Sequence, residues 1–133
     1  MKLVPATGKG RPLITAYGAG GFRFGLPSGD IRIDGSVLVL ADQPSPWAVS
    51  DMEVLRQGPL ETLLAPILQG SGQIEFLLFG TGATIEAPPL HMRERLRAAS
   101  IGLEIMSTPS ACRTYNHLAS EGRHFAVAML RVG

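Results

Sequence analysis

The sequence predicts an α/β domain, with helices laid on a mixed or parallel sheet. Three observations predict it. From Gln73 onward, strand-length apolar runs alternate with helix-length segments in the order strand, helix, strand, helix, strand, the pattern of a layered α/β domain. The first half instead carries short β-like runs punctuated by glycine and proline turns. Finally, 133 residues with 45% hydrophobic and only 17% charged side chains suit one domain around a single core. Residues 1–12 read as a flexible tail, because proline, glycine and basic residues alternate there without periodicity, and residues 13–133 as the domain.

Each element has its own signal. "LITAY" is a short strand candidate interrupted by "GAGG", and "GFRF" resumes it before the turn "GLPSG". "DIRI" leads through Asp34-Gly35, a strong two-residue hairpin signal, into "SVLVLA". "DQPSPW" reads as a loop that places Trp47 after two prolines. Ser50–Arg56 lacks a decisive pattern and is read as a strand. Pro59 suits the first turn of a helix whose Leu60, Leu63, Leu64 and Leu68 keep helical spacing, although Pro66 disturbs it. "QIEFLLFG" is a nearly continuous apolar strand ending in Gly80-Thr81-Gly82. Pro88-Pro89 opens a helix to about Ser100, with Met92, Leu96 and Ala99 as its apolar stripe and its arginines on a solvated face. "GLEIM" is a strand. Thr108 reads as the N-cap of a helix with Pro109 at N1 and Gly122 just past its end. "HFAVAMLRV" reads as a strand buried on both faces.

Composition narrows the function classes. Twelve basic against eleven acidic side chains give a net charge of +1, not the basic excess that neutralises phosphates, so no nucleic-acid partner is expected. One cysteine makes no internal disulfide and no cysteine-based zinc site, and it points to a reducing compartment. "MKLVPATGKGRP" lacks the apolar core of a secretory signal, and no apolar run approaches a membrane span. A cytoplasmic protein without cofactor or metal is the expectation.

The alternation supplies a candidate site. If Ile74–Phe79 and Leu103–Met106 are parallel neighbours, the loops after them share one sheet edge, where ligands of open α/β sheets bind near helix N-termini. Thr81, Gly82, Ser107, Thr108, Ser110, Cys112 and Arg113 would line it and could take a small anion or acidic metabolite. Cys112 sits in a first helical turn beside Arg113, and both the helix dipole and the cation favour thiolate. His117 is no partner for it, since five residues along a helix turn it about 140° away. Asn116 is its i+4 neighbour instead. The plainer reading makes Cys112 a small half-buried residue at the edge of an apolar arc of Ala111, Tyr115, Leu118 and Ala119. Arg113 could equally hold an anion or pair with Glu86 or Glu121.

Other motifs are weaker. Gly18–Gly21 lacks the following helix and third glycine of a dinucleotide fingerprint, so a bulge or close backbone approach is the better reading. Gly80–Gly82 is no P-loop, as no Gly-Lys-Ser/Thr follows. His117 and Glu121 stand at i,i+4 without a second histidine, which suits a solvated helix face better than a metal. Trp47 reads as an anchor on the sheet, with an exposed partner contact as the alternative.

Several segments together carry a resemblance: "AYGAGGFRF", "GSVLVL" followed by a tryptophan, "LLFGTG", and above all "LRAASIGLEIMSTPSACRTYNHLASEGR". Across roughly Ile14 to Val132 the chain resembles the family of mitochondrial respiratory complex I assembly factor 3 and the adipogenesis-associated domain protein, with small bacterial and archaeal members. The resemblance implies a compact three-layer α/β domain with a central mixed sheet, flanking helices and an added β-hairpin. It implies an interaction or assembly role with an unknown protein partner, and it carries no catalytic residue onto Cys112, Arg113, Thr114, Tyr115 or Asn116. The hairpin segment "GLPSGDIRID" is a few residues longer than the family pattern, and Pro109-Ser110 stands where a smaller residue is expected.

Overall fold

In the computed structural model, which describes residues 11–132, two sheets and four helices form three layers. A small antiparallel sheet holds β1 (Leu13–Gly18), β2 (Gly21–Leu26) and β3 (Gly29–Asp34) in that order. The central sheet contains β4 (Ser36–Leu40), β5 (Gln43–Trp47), β6 (Phe76–Gly80), β7 (Gly102–Met106) and β8 (Phe125–Met129), ordered β5-β4-β8-β6-β7. It is mixed: β6 runs parallel to β7 and β8, whereas β4 is antiparallel to β5 and β8. Helices α1 (Met52–Gln57), α2 (Leu60–Leu68) and α3 (Leu90–Ala98) cover one face, and α4 (Thr108–Ala119) lies with the small sheet on the other.

The two-residue alternation of strands builds two cores from one sheet. Leu38, Leu77, Phe79, Ala126 and Ala128 face α1–α3, while Val37, Val39, Leu78, Val127 and Met129 face α4 and the small sheet. β8 is buried at every position because it is central and covered on both sides, as its unbroken apolar run predicts.

Several local expectations need correction. "GFRF" does not continue the first strand; it turns back and pairs with it, Tyr17 opposite Phe22. Asp34-Gly35 makes no hairpin either. β3 pairs with β2, β4 pairs with β5 and β8, and the chain changes sheets at Gly35. An Asp-Gly pair reports that the backbone can turn, not which strand will be the neighbour. The tight turn that does join β4 to β5 is Ala41-Asp42, both left-handed at φ 49° and 65°. Ala41→Gly removes the cost of a Cβ in that region and is expected to stabilise the fold by about 1 kcal/mol, read as a higher urea midpoint.

"QPSPW" is strand β5, not a loop. Its two-residue connection makes Gln43, Ser45 and Trp47 the ladder-bonded positions, so Pro44 and Pro46 fall where an N–H would face solvent. The Ser50–Arg56 segment enters helix α1 at Met52: Asp51 is its N-cap, and the Asp51 carboxylate accepts from the Val54 N–H at 3.1 Å. Trp47 is buried, donates its indole N–H to the Leu63 carbonyl at 3.1 Å and meets Phe79 edge-on. Pro66 stays inside α2, where the bond it cannot make would have gone to exposed Thr62.

Residues 1–10 of the expected tail lie outside the described residues. Arg11 and Pro12 are held: Arg11 pairs with Asp42 and lies 4.8 Å over the Phe125 ring, and Pro12 is buried.

Candidate functional site

The strands after which the candidate loops fall are parallel neighbours, Phe79 opposite Ile105 and Gly80 opposite Met106. The two loops therefore meet. They meet by bonding to each other. The Thr81 N–H donates to the Met106 carbonyl at 2.9 Å and the Thr108 N–H to the Gly82 carbonyl at 2.7 Å. Thr108 is buried, and its hydroxyl donates to the Leu130 carbonyl at 2.7 Å while accepting the Gly82 N–H at 2.9 Å. One threonine thus ties three chain segments at the carboxyl end of the sheet. Gly80 allows the approach: a Cβ there would lie 2.9 Å from the Thr108 hydroxyl oxygen and 3.1 Å from its Cα.

That commitment displaces the N-cap. The cap is Ser107, not Thr108, and its hydroxyl accepts from the Ser110 N–H at 3.4 Å. The first turn of α4 consequently has its donors spent: Thr108 on the loop, none on Pro109, Ser110 on the cap, and Ala111 on the Ser107 carbonyl. Arg113 is exposed and donates to the Ser110 hydroxyl at 3.2 Å, which in turn lies 3.2 Å from the Ser107 hydroxyl. Neither Glu86 nor Glu121 pairs with Arg113. Glu86 meets Arg56 at 3.1 Å, and Glu121 meets His117 at 3.3 Å on an exposed face.

The candidates therefore divide into three places. Thr81, Gly82 and Thr108 form the buried knot. Ser107, Ser110 and Arg113 form a hydroxyl–guanidinium string on the helix start. Cys112 points into the core, 2% exposed, with its thiol 3.8 Å from the Met129 sulfur. An open cleft of about 250 Å3 does lie beside Thr81 and Gly82, but its charged groups are Asp51, Glu86 and Arg131 rather than Arg113.

Burial dominates the chemistry of Cys112. It pushes the thiol up from 9.0 to about 12, against the smaller opposing pull of Arg113. The folded state keeps this proton where the unfolded chain loses it. The resulting stabilisation is complete below pH 9.0, the ordinary thiol value, and is lost as pH rises toward about 12. Buried Tyr115 is shifted upward by the same cause and adds to the alkaline loss. A thiol reagent is expected to leave the native protein unlabelled and to label it stoichiometrically in urea, and urea midpoints should fall from about pH 8 to about pH 10.5.

The residues with the longest reach are ones the sequence marks only as neighbours. Asn116 closes a two-bond clamp on β1, accepting the Ile14 N–H and donating to the Ile14 carbonyl, both at 2.8 Å. Tyr115 donates its hydroxyl to the Pro12 carbonyl at 2.5 Å and meets the Phe24 and Phe125 rings edge-on. The available signal is the helical period: Ala111, Cys112, Tyr115 and Ala119 share one buried face, and Asn116 borders it.

Fold and site together define a small three-layer α/β domain in which Thr81, Gly82 and Thr108 bond the two sheet-edge loops to each other. Among the described residues no helix is long and apolar enough to cross a membrane. Residues 14–130 match the family described as "Protein of unknown function (DUF498/DUF598)", and the chain belongs to it. An uncharacterised protein of Rhodobacter capsulatus is 36% identical over 117 residues, spanning 88% of this chain and 82% of that one. NADH dehydrogenase [ubiquinone] 1 alpha subcomplex assembly factor 3 of Drosophila melanogaster is 30% identical over 120 residues, spanning 89% of this chain but only 58% of its own length. Its Danio rerio counterpart is 43% identical over 58 residues, 33% of its length. Among solved structures, a Bartonella henselae chain described as an outer membrane protein superposes with a TM-score of 0.79 at 33% identity, covering 93% of this chain and 98% of that one. A Bordetella pertussis protein described as an Mth938-like domain does so at 0.68 and 25% identity, covering 100% of this chain and 94% of that one.

Proposed function

We propose that this chain acts by holding another protein, as an assembly-factor-like interaction domain, and not by turning over a substrate. The observation that carries the reading is the alignment of 89% of this chain with an animal complex I assembly factor. The spent donors of the α4 N-terminus and the inward-facing Cys112 support it, because the most reactive-looking motif already has structural work. The lone cysteine, buried and free, fits a cytoplasmic site of action. Deleting the gene in the source organism is expected to lower the amount of assembled respiratory NADH dehydrogenase on native gels, with recovery on re-expression. An unchanged amount of that complex would remove the assembly-factor reading. Inorganic phosphate and small dicarboxylates are expected to leave the melting temperature unchanged; a rise of several degrees that Arg113→Ala abolishes would restore the anion-site alternative.

A further inference from the structure

The central sheet has two unlike edges. On β5 the outward positions are Pro44 and Pro46, which offer no N–H to a further strand. On β7, among the described residues, no proline stands in the strand, and Glu104 is its one charged side chain. The Gly102 N–H donates to the Glu75 carbonyl and the Met106 carbonyl accepts the Thr81 N–H, so the even-numbered residues of β7 bond inward to β6. Leu103 and Ile105 therefore direct their N–H and C=O groups outward, four main-chain groups in a row.

Both faces beside this edge are hollow. On the α4 side, a groove of about 400 Å3 is floored by Phe76, Leu78, Met106 and Leu118, with Glu104 and Arg123 at its sides. On the α3 side, Arg93 and Arg97 border a second hollow at Gly102 and Leu103. Among the described residues neither of these two arginines has a carboxylate within ion-pairing distance, whereas Arg95 on the same helix pairs with Glu61 at 2.7 Å.

We infer that the open edge of β7 takes an extended, acidic segment of a protein partner as a sixth strand. This rests on the interaction reading above and names its surface. A strand on this edge alternates its side chains between the two hollows. Apolar side chains enter the groove over Phe76 and Leu118, and carboxylates on the alternate positions meet Arg93 and Arg97. A second copy of this chain is the poorer occupant. The symmetric antiparallel register that uses all four outward groups places Glu104 directly opposite its own copy, about 4.5 Å apart at Cα, where like charges repel.

The test is photo-crosslinking of the full chain in the source cell, with a photoreactive phenylalanine analogue replacing Glu104 and, separately, Ile85, which is 64% exposed and remote in sequence from β7. Mass spectrometry should place the Glu104 crosslink in a segment of another protein with carboxylates at alternate positions. Ile105→Pro, which by register removes no internal sheet bond, should lower the yield at least about tenfold. The double variant Arg93→Glu, Arg97→Glu, on exposed positions that leave folding intact, should lower it about fivefold and do so independently of the proline. Thermal unfolding of each variant checks that it is folded. A crosslink to a second copy, or one indifferent to both variants, overturns the edge proposal. So does capture at Ile85 with none at Glu104, which leaves the interaction reading standing. Capture at neither position overturns both.

Discussion

Thr108→Val is expected to lower the unfolding free energy by about 2–6 kcal/mol, although the two side chains have nearly the same shape. The valine keeps the buried volume and drops the hydroxyl. The Leu130 carbonyl then loses the donor it holds at 2.7 Å, and the Gly82 N–H loses the acceptor at 2.9 Å. Each orphaned buried group costs about 1–3 kcal/mol. Thr108→Ser keeps the hydroxyl and loses one methyl, at about 1 kcal/mol. Urea unfolding of the pair separates hydrogen bonding from packing: a small Val effect beside a larger Ser effect would make the site a packing position. Exchange of the Gly82 amide should rise in the valine variant alone.

Tyr115→Ala is expected to cost about 3–5 kcal/mol, the usual range for emptying a buried aromatic site. Tyr115 is fully buried and joins α4, the small sheet and β8 through Phe24 and Phe125. Tyr115→Phe keeps the ring and orphans the Pro12 carbonyl, for about 1–2 kcal/mol. The neighbouring Asn116→Ala should speed exchange of the Ile14 amide specifically, because that N–H is held by the Asn116 side chain. Denaturant unfolding measures the first two effects and amide exchange the third. Equal losses for Tyr115→Ala and Tyr115→Phe would mean that the hydroxyl, not the ring, supplies the attachment.

The second half of the fold was legible because burial writes a simple code there. Phe125–Met129 is apolar throughout because both faces are covered, and Met92 and Leu96 of α3 recur at helical spacing. The first half was harder because its strands change partners. Asp34-Gly35 looks like a hairpin locally, yet the neighbours of β3 and β4 are set by which faces must cover Val37 and Val39. Pro44 and Pro46 read as a loop because a proline-bearing edge strand has almost no local signature. At the candidate site, the meeting of the 80–83 and 107–110 loops followed from two parallel strands. Whether their polar groups would face a ligand or each other did not, since it depends on where Leu130 crosses beneath Thr108. Cys112 stood in an activating local context and acquired its raised pKa from burial that only the packed sheet supplies.

The clamp from Asn116 to Ile14 has a consequence during synthesis. The small sheet is made first, but its apolar face, with Ile14, Phe22, Phe24 and Ile33, is buried against β4 and α4. The clamp closes over a sequence separation of 102 residues. At about 5–20 residues per second, a ribosome leaves that face without α4 for roughly 5–20 s. The nascent meander therefore spends seconds as an apolar, strand-rich surface awaiting its own C-terminal half, an interval in which binding by a chaperone competes with aggregation.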